Sequence, residues 1–452
     1  MPFRPSPRPR VRSLAGLAFA ASHLCAPARA QETAVPAPPV SDPVLQSLVQ
    51  EALAANPLLK QAEEELAGAR QRPGQARALA DPMLSLSYTN DGWKPTLGSE
   101  PMTTLGLLWS QDLPYPGRRR LRGDIAGRDA DRSAQRLERA RLDVVADVKA
   151  SYAGLLEARA RLDLIATDDQ LLRQIEGAVR ARYSVGQGAQ PDVLRVQIET
   201  TRLEQRRAER AADETVRLAE LNGLVGRPAG SLLETPARLG RGPAPPPLDG
   251  VLTEARQRSP ELREARLAID AARLAVSLAE RDYKPDFRVA AGYMNRGGLP
   301  PMWQAGVGVT LPLHRSRIKS GVTEAEASRR AAEQHLAALE LQLRVRTEER
   351  LARLRASKRL AELYESGVIP QDVLGVEAAL ASYRVGTVPF VAVLEALAGL
   401  SADRAALVSV LAEQARLLAR LEAASLEADG SAMPVPSAVA VGMALARAGE
   451  LR

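Results

Sequence analysis

One pattern is written twice in this chain, about 200 residues apart, so any fold it adopts must hold two copies of one unit. Tyr183-Ser184-Val185-Gly186 returns as Tyr383-Arg384-Val385-Gly386, and Leu194 returns as Leu394 without a gap. Upstream, Asn56-Pro57-Leu58 is answered by Ser259-Pro260-Glu261 and Pro82 by Pro285, both at an offset of 203. Leu113-Pro114 is answered by Leu311-Pro312 at 198. A single Y-x-V-G would be noise, but an ordered set at nearly constant offset marks a duplication.

The duplication divides the chain into repeat 1 over 44–225 and repeat 2 over 250–428. A Gly- and Pro-rich linker over 226–249 joins them, and 429–452 reads as a loose tail. The first 30 residues have the form of a secretory signal: Arg4, Arg8, Arg10 and Arg12, then a short apolar stretch, then Ala28-Arg29-Ala30. Cys25, the one cysteine, lies inside that segment and is a conceivable lipidation site. Cleavage after Ala30 would leave a mature chain without disulfides, held together by packing and assembly. Residues 31–43 form a proline-rich lead-in. The net charge of +7 is mostly a property of the leader: beyond residue 30 there are 56 basic and 54 acidic side chains, interspersed. That balance argues against a nucleic-acid partner.

Within each repeat the texture changes in the same order. Helical spacing runs from Val44 to about Ala80 and is interrupted at Asn56-Pro57, because a residue before proline is pushed out of the α region. Period-two alternation follows in Leu84-Ser85-Leu86-Ser87-Tyr88 and again around Leu105, Leu107 and Trp109, predicting a β-hairpin at about 83–112. Its counterpart is expected at about 286–312, with a turn over Gly297-Gly298-Leu299-Pro300-Pro301. No proline occurs between Pro116 and Pro191, so some 65 residues can run as one helix of about 100 Å. The second copy is expected to break or kink near Gly367, where Pro370 removes an amide donor. Tip turns at 183–190 and 383–388 then lead into return helices, about 191–224 and 389–427.

Two strands alone are marginal, and four cannot close a barrel in lipid, where open edges are not tolerated. If these strands lie in a membrane, several chains must pool them, and three would supply an acceptable twelve. Tyr88, Trp93, Trp109, Tyr293 and Trp303 lie in or beside the hairpins, as membrane-interface aromatics do.

With two hairpins, two long helices and two Y-x-V-G turns in order over 44–428, the chain resembles the TolC-type outer-membrane efflux protein family. The resemblance implies a homotrimer whose twelve-stranded barrel crosses the outer membrane of a Gram-negative bacterium and continues as an α-helical coiled-coil barrel in the periplasm. It implies three partners: outer-membrane lipid, a periplasmic adaptor (membrane fusion) protein and an inner-membrane transporter of the RND type. In the family the tip turns meet the adaptor, and the matching residues are Tyr183, Val185, Gly186, Gln187, Tyr383, Val385, Gly386 and Thr387. Relatives also carry acidic residues just past the tips that ring a tunnel constriction. Asp192 and Glu395 match such positions, while Ala392 stands where a further acid would be expected.

A narrower likeness to heavy-metal efflux components lies in Leu113-Pro114-Tyr115-Pro116-Gly117-Arg118-Arg119-Arg120 and in Gly367-Val368-Ile369-Pro370. A strand-to-helix corner accounts for the first equally well. A type I secretion or drug-efflux duct, a periplasmic adaptor and a purely structural coiled-coil protein remain as alternatives. No catalytic residue, cofactor or metal site is expected: there is no phosphate-binding loop, and His314 and His335 are the only histidines beyond the leader. His314, beside Arg315, reads as a corner residue.

Overall fold

A computed structural model describes residues 42–97, 100–235 and 238–426. The leader, Cys25, all but the end of the proline-rich lead-in, and the C-terminal tail lie outside the described residues.

Each repeat begins with a helix pair: α1 (Pro43–Ala55) and α2 (Pro57–Arg77) in the first, α5 (Leu248–Arg258) and α6 (Pro260–Glu280) in the second. The repeated Asn-Pro and Ser-Pro pairs are the joints. Asn56 Oδ1 accepts from the Leu58 amide at 2.8 Å, and Ser259 Oγ accepts from Leu262 at 3.3 Å. Each thus caps a helix whose first residue, proline, needs no amide partner. Asp42 does the same for α1, so the helix starts at Pro43 and the expected lead-in ends one residue early.

The hairpins are β1 (Met83–Thr89) with β2 (Thr104–Leu113), and β3 (Asp286–Arg296) with β4 (Leu299–Thr310). They join through β2 and β3 into one antiparallel sheet in the order β1-β2-β3-β4. The second turn is tighter than expected. Arg296 pairs with Leu299, so only Gly297 and Gly298 lie between the strands, while Pro300 and Pro301 already belong to β4. Proline is tolerated there because Pro300 and Pro301 lie at the very start of the strand, opposite the register irregularity between Met294 and Arg296.

The register sorts the side chains by face. Leu86, Leu107, Tyr293 and Trp303 stand in one cross-strand row, and Leu84, Trp109, Ala291 and Ala305 in another on the same side. The opposite side carries Ser87, Gly106, Met294 and Met302, then Ser85, Leu108, Gly292 and Gln304, and near one end Asp112 paired with Arg288. One face is apolar and exposed, the other largely small or polar.

From the sheet the chain turns through Pro114 and Pro116 into α3 (Arg118–Ser184), a single helix of 67 residues or about 100 Å. The corner is pinned to the other repeat. Arg118, nearly buried, donates to Asp286 at 2.5 Å and to the Arg281 carbonyl at 2.8 Å, and the Tyr115 amide donates to Asp286 at 2.7 Å. Gly117 sits at φ +91°, and a Cβ there would lie 2.6 Å from the Arg281 guanidinium. Helix α4 (Gln190–Val225) returns antiparallel to α3.

In the second repeat the long helix is α7 (Arg315–Leu363) and α8 (Ile369–Val385), and α9 (Phe390–Glu422) returns. The break or kink expected near Gly367 takes the form of a π bulge there, with no break in the helix. Residues Tyr364–Val368 form one π-helical turn in which the Ile369 amide bonds to the Tyr364 carbonyl, and the helix continues. The extra residue lets the chain carry the proline ring past the carbonyl it would otherwise strike.

Helix α1 packs Leu48 and Ala52 onto Val148, Tyr152 and Leu155 of α3 and Leu221 of α4. Arg350 of α7, almost wholly buried, donates to the Ser425 carbonyl just past α9. Among the described residues no helix is long and apolar enough to cross a membrane, which says nothing of the sheet.

Candidate functional site: the two tips and the sheet

Both Y-x-V-G turns end a helix in the same way. Gly186 lies at φ +73° and Gly386 at φ +85°. The Gln187 amide reaches back to the Arg182 carbonyl at 2.9 Å, and Thr387 to Ser382 at 3.0 Å, the six-to-one bond of a helix C-terminus closed by a left-handed residue. In both, the valine before the glycine is presented outward, Val185 at 67% and Val385 at 75% exposure.

The copies differ where they meet. The Arg182 guanidinium lies 4.8 Å from the centre of the Tyr383 ring, donates to the Tyr383 carbonyl and donates to Gln187 O at 2.9 Å. It therefore straps the first tip to the second by a stacked cation and one hydrogen bond, while its bond to Gln187 braces its own turn. Tyr383 is 2% exposed, packs 5.4 Å from Phe390, and its hydroxyl donates to Asp192 at 3.3 Å. Burial first, and the Asp192 charge second, push its phenol pKa up. Tyr183, its counterpart, is 48% exposed.

Arg182 and Gly188 were not among the sequence candidates. The signal for Arg182 was the mismatch with Ser382 at the equivalent position. The signal for Gly188 was a second glycine two residues on, and a Cβ there would sit 2.8 Å from the Tyr183 backbone nitrogen.

Of the two acids placed at a constriction, Asp192 is half-buried and takes the Tyr383 hydroxyl. Glu395 is exposed and lines a cavity with Asp168 and Glu199. Within one chain they occupy separate surroundings.

Of the aromatics, Trp93 and Trp303 are the most exposed, and Trp303 meets Tyr293 edge-on at 5.1 Å across β3 and β4. Tyr88 uses its hydroxyl locally, donating to Thr96 O at 2.7 Å and bonding Asn90 at 2.9 Å, which holds the β1–β2 loop. His314 takes the N-cap position of α7. Among the described residues no three His, Cys, Asp or Glu side chains gather as metal ligands would.

The model of the outer membrane efflux protein family matches residues 48–227 and 251–425. Nodulation protein T of Rhizobium leguminosarum bv. trifolii is 24% identical over 410 residues, 85% of each chain. A membrane protein from Pseudomonas aeruginosa superposes with a TM-score of 0.73 at 18% identity, over 86% of this chain and 93% of that one. The outer membrane protein VceC of Vibrio cholerae does so with a TM-score of 0.70 at 21% identity, over 84% and 95%.

Proposed function

Because the chain belongs to the outer membrane efflux protein family, we propose that it works as a passive homotrimeric exit duct, fed by an inner-membrane transporter through a periplasmic adaptor. The observation that supports this most is the sheet: four strands with an exposed apolar face and two unpaired outer edges. Such edges are not viable in lipid unless neighbouring chains pair with them, and three chains give twelve strands. The apolar face then meets hydrocarbon, with Trp303 and Tyr293 on that side, and the face with Ser87 and Gln304 meets water.

Transport requires no bond to be made or broken by this chain; its task is to open and close. In the resting tip, Arg182 and Asp192 hold Tyr383 and with it the α8–α9 pair against α3 and α4. Opening separates the pairs, so the strap and the hydroxyl bond must be given up. An adaptor seated on Val185-Gly186-Gln187 and Val385-Gly386-Thr387 touches the residues next to the latch, which couples docking to opening. Asp192, once released, is a free carboxylate at the entrance, where with Glu395 it would favour cations.

Gly117 and Arg118 are accounted for by the corner they build, and Gly367 and Pro370 by the π turn. Each motif thus has a structural account, and a metal cargo rests on the resemblance alone. An RND-type pump remains the reading taken from the resemblance.

The duct reading is tested by outer-membrane fractionation and by heat-modified mobility of the purified protein. A single heat-insensitive band in the inner membrane or periplasm would refute it. The docking reading is tested by Gly186→Arg together with Gly386→Arg, which should abolish efflux while the trimer persists. Normal efflux in that variant removes the tips from the interface.

A further inference from the structure

Helix α3 shows different neighbours on its two sides. Arg159 and Asp163 face the linker, where Arg159 donates to the Leu233 carbonyl at 2.9 Å. Ser151, Gly154, Ala158, Asp168 and Leu172 lie on the other side by the helical period, along a furrow walled by α4 and α9. Three linkers on the inside of a closed tube would plug it, so the furrow is the side that faces the bore.

Toward the tip the furrow deepens into a cavity of about 560 Å³ between α3, α4 and α9. At its base is Asp168, 7% exposed, and the carboxylate oxygen Oδ1 has no hydrogen-bond partner among the described residues. A buried acceptor left unmade is costly, and a donor from outside would remove that cost. Burial holds the Asp168 carboxyl above the usual carboxylate range. The Ser401 hydroxyl and the guanidinium groups of Arg404 and Arg206 oppose this without cancelling it. The lining carries three carboxylates, Asp168, Glu199 and Glu395, against two guanidiniums, and Arg202 is already engaged by Glu199 at 2.6 Å. The walls between them are apolar, with Leu172, Leu203, Leu394 and Leu397.

We propose that this cavity binds an amphiphilic organic cation, one per protomer, whose protonated amine or amidine donates an N–H to Asp168 Oδ1 while its hydrocarbon body lies on the leucines. The volume is that of pockets that enclose drug-sized molecules. Three features set it apart from a ring of charges on the channel axis: it lies within the wall of each chain, it requires an N–H donor, and it has apolar walls. Its opening toward the bore rests on the duct reading, whereas the pocket itself does not.

Titration calorimetry on the full-length protein, purified in detergent, with benzamidinium as probe and tetraethylammonium as the cation lacking N–H, decides the matter. Saturable benzamidinium binding at one per chain is expected, at least tenfold weaker in Asp168→Asn and weak or absent for tetraethylammonium. Ala398→Phe, which fills the mouth and leaves the carboxylate in place, should weaken it similarly. Affinity should fall as pH is lowered through the raised pKa of Asp168, with Glu199, Arg202 and Arg206 of α4 and Glu395 and Arg404 of α9 as its charged neighbours. Unchanged affinity in Asp168→Asn, equal binding of tetraethylammonium, no saturable binding, or one site per three chains would each overturn the proposal. Bilayer recordings in parallel keep the two readings apart. A protein that conducts but does not bind retains the duct and loses the site; one that binds but forms no channel does the reverse.

Discussion

Arg182 and Gly188 show how little chemistry distinguishes two turns with the same backbone. Removing the strap with Arg182→Ala deletes a stacked cation and two hydrogen bonds to carbonyls, and should destabilise the closed tip by about 1–3 kcal/mol. The expected result is a higher single-channel open probability with an unchanged trimer; an unaltered channel record would mean that Arg182 does not latch the tip. Gly188→Ala has a different effect, because the new Cβ meets backbone and the turn itself must move. Altered adaptor cross-linking is expected there even though no polar contact is lost. Asp168 gives a pH prediction whose sign follows from its raised pKa. The folded state holds the proton to higher pH than the unfolded chain does, so this group's contribution is most favourable below the unfolded pKa and is lost as pH rises through the folded one. The melting temperature of Asp168→Asn should therefore gain on wild type as pH rises from about 4 to 7, near the ordinary carboxylate range. A constant or shrinking difference would contradict the burial argument.

At the scale of elements, the second long helix differs from the first by one π turn and the proline that follows it. Insertion of one residue rotates everything beyond it by about 100° about the helix axis. Val376 and Tyr383, both buried, lie beyond that turn in α8. Deleting Gly367, inside the π turn, should rotate both off their buried side and take Tyr383 out of the tip cluster that contains Val393, Phe390 and Leu397. Loss of efflux together with a lowered melting temperature is expected, and a fully active deletion would show that the π turn sets no register. The joints at Asn56 and Ser259 show why the repeats begin alike: each needs a side-chain acceptor for the first free amides and a proline where an amide is redundant. The Asn-Pro interruption was readable from the sequence. The π turn was not, because a proline in a helical run predicts lost hydrogen bonding and does not tell which of a break, a kink or a bulge relieves it.

For the whole molecule the decisive quantity is the unpaired edge. Each chain has two, at β1 and β4, and the apolar rows on one face leave no water-soluble way to cover them. Leu107→Arg places a charge on that face and should cost about 2–4 kcal/mol if near the bilayer midplane, whereas Ser110→Arg, on the other face, should be tolerated. Trimer yield on semi-native gels measures both. Equal loss in the two variants would mean that the faces are not lipid and water.

Sequence alone determined the elements and their order, because these depend on local chemistry: period two or 3.6, proline at a helix start, glycine after a helix end. It located two equivalent tips and an amphipathic hairpin in each half. Only the tertiary structure decided which tyrosine of the pair is buried, since Tyr183 and Tyr383 sit in nearly the same local sequence. Their difference comes from Arg182 and Asp192, about 200 residues from Tyr383 in the chain and in contact with it in space. The same holds for Asp168, an ordinary acid in a charged helix until α4 and α9 close around it. A duplicated sequence fixes two copies of a shape, but the copies have diverged at positions such as Arg182 and Ser382, and only packing decides what each diverged side chain meets; in that inequality lie the proposed latch and the proposed pocket.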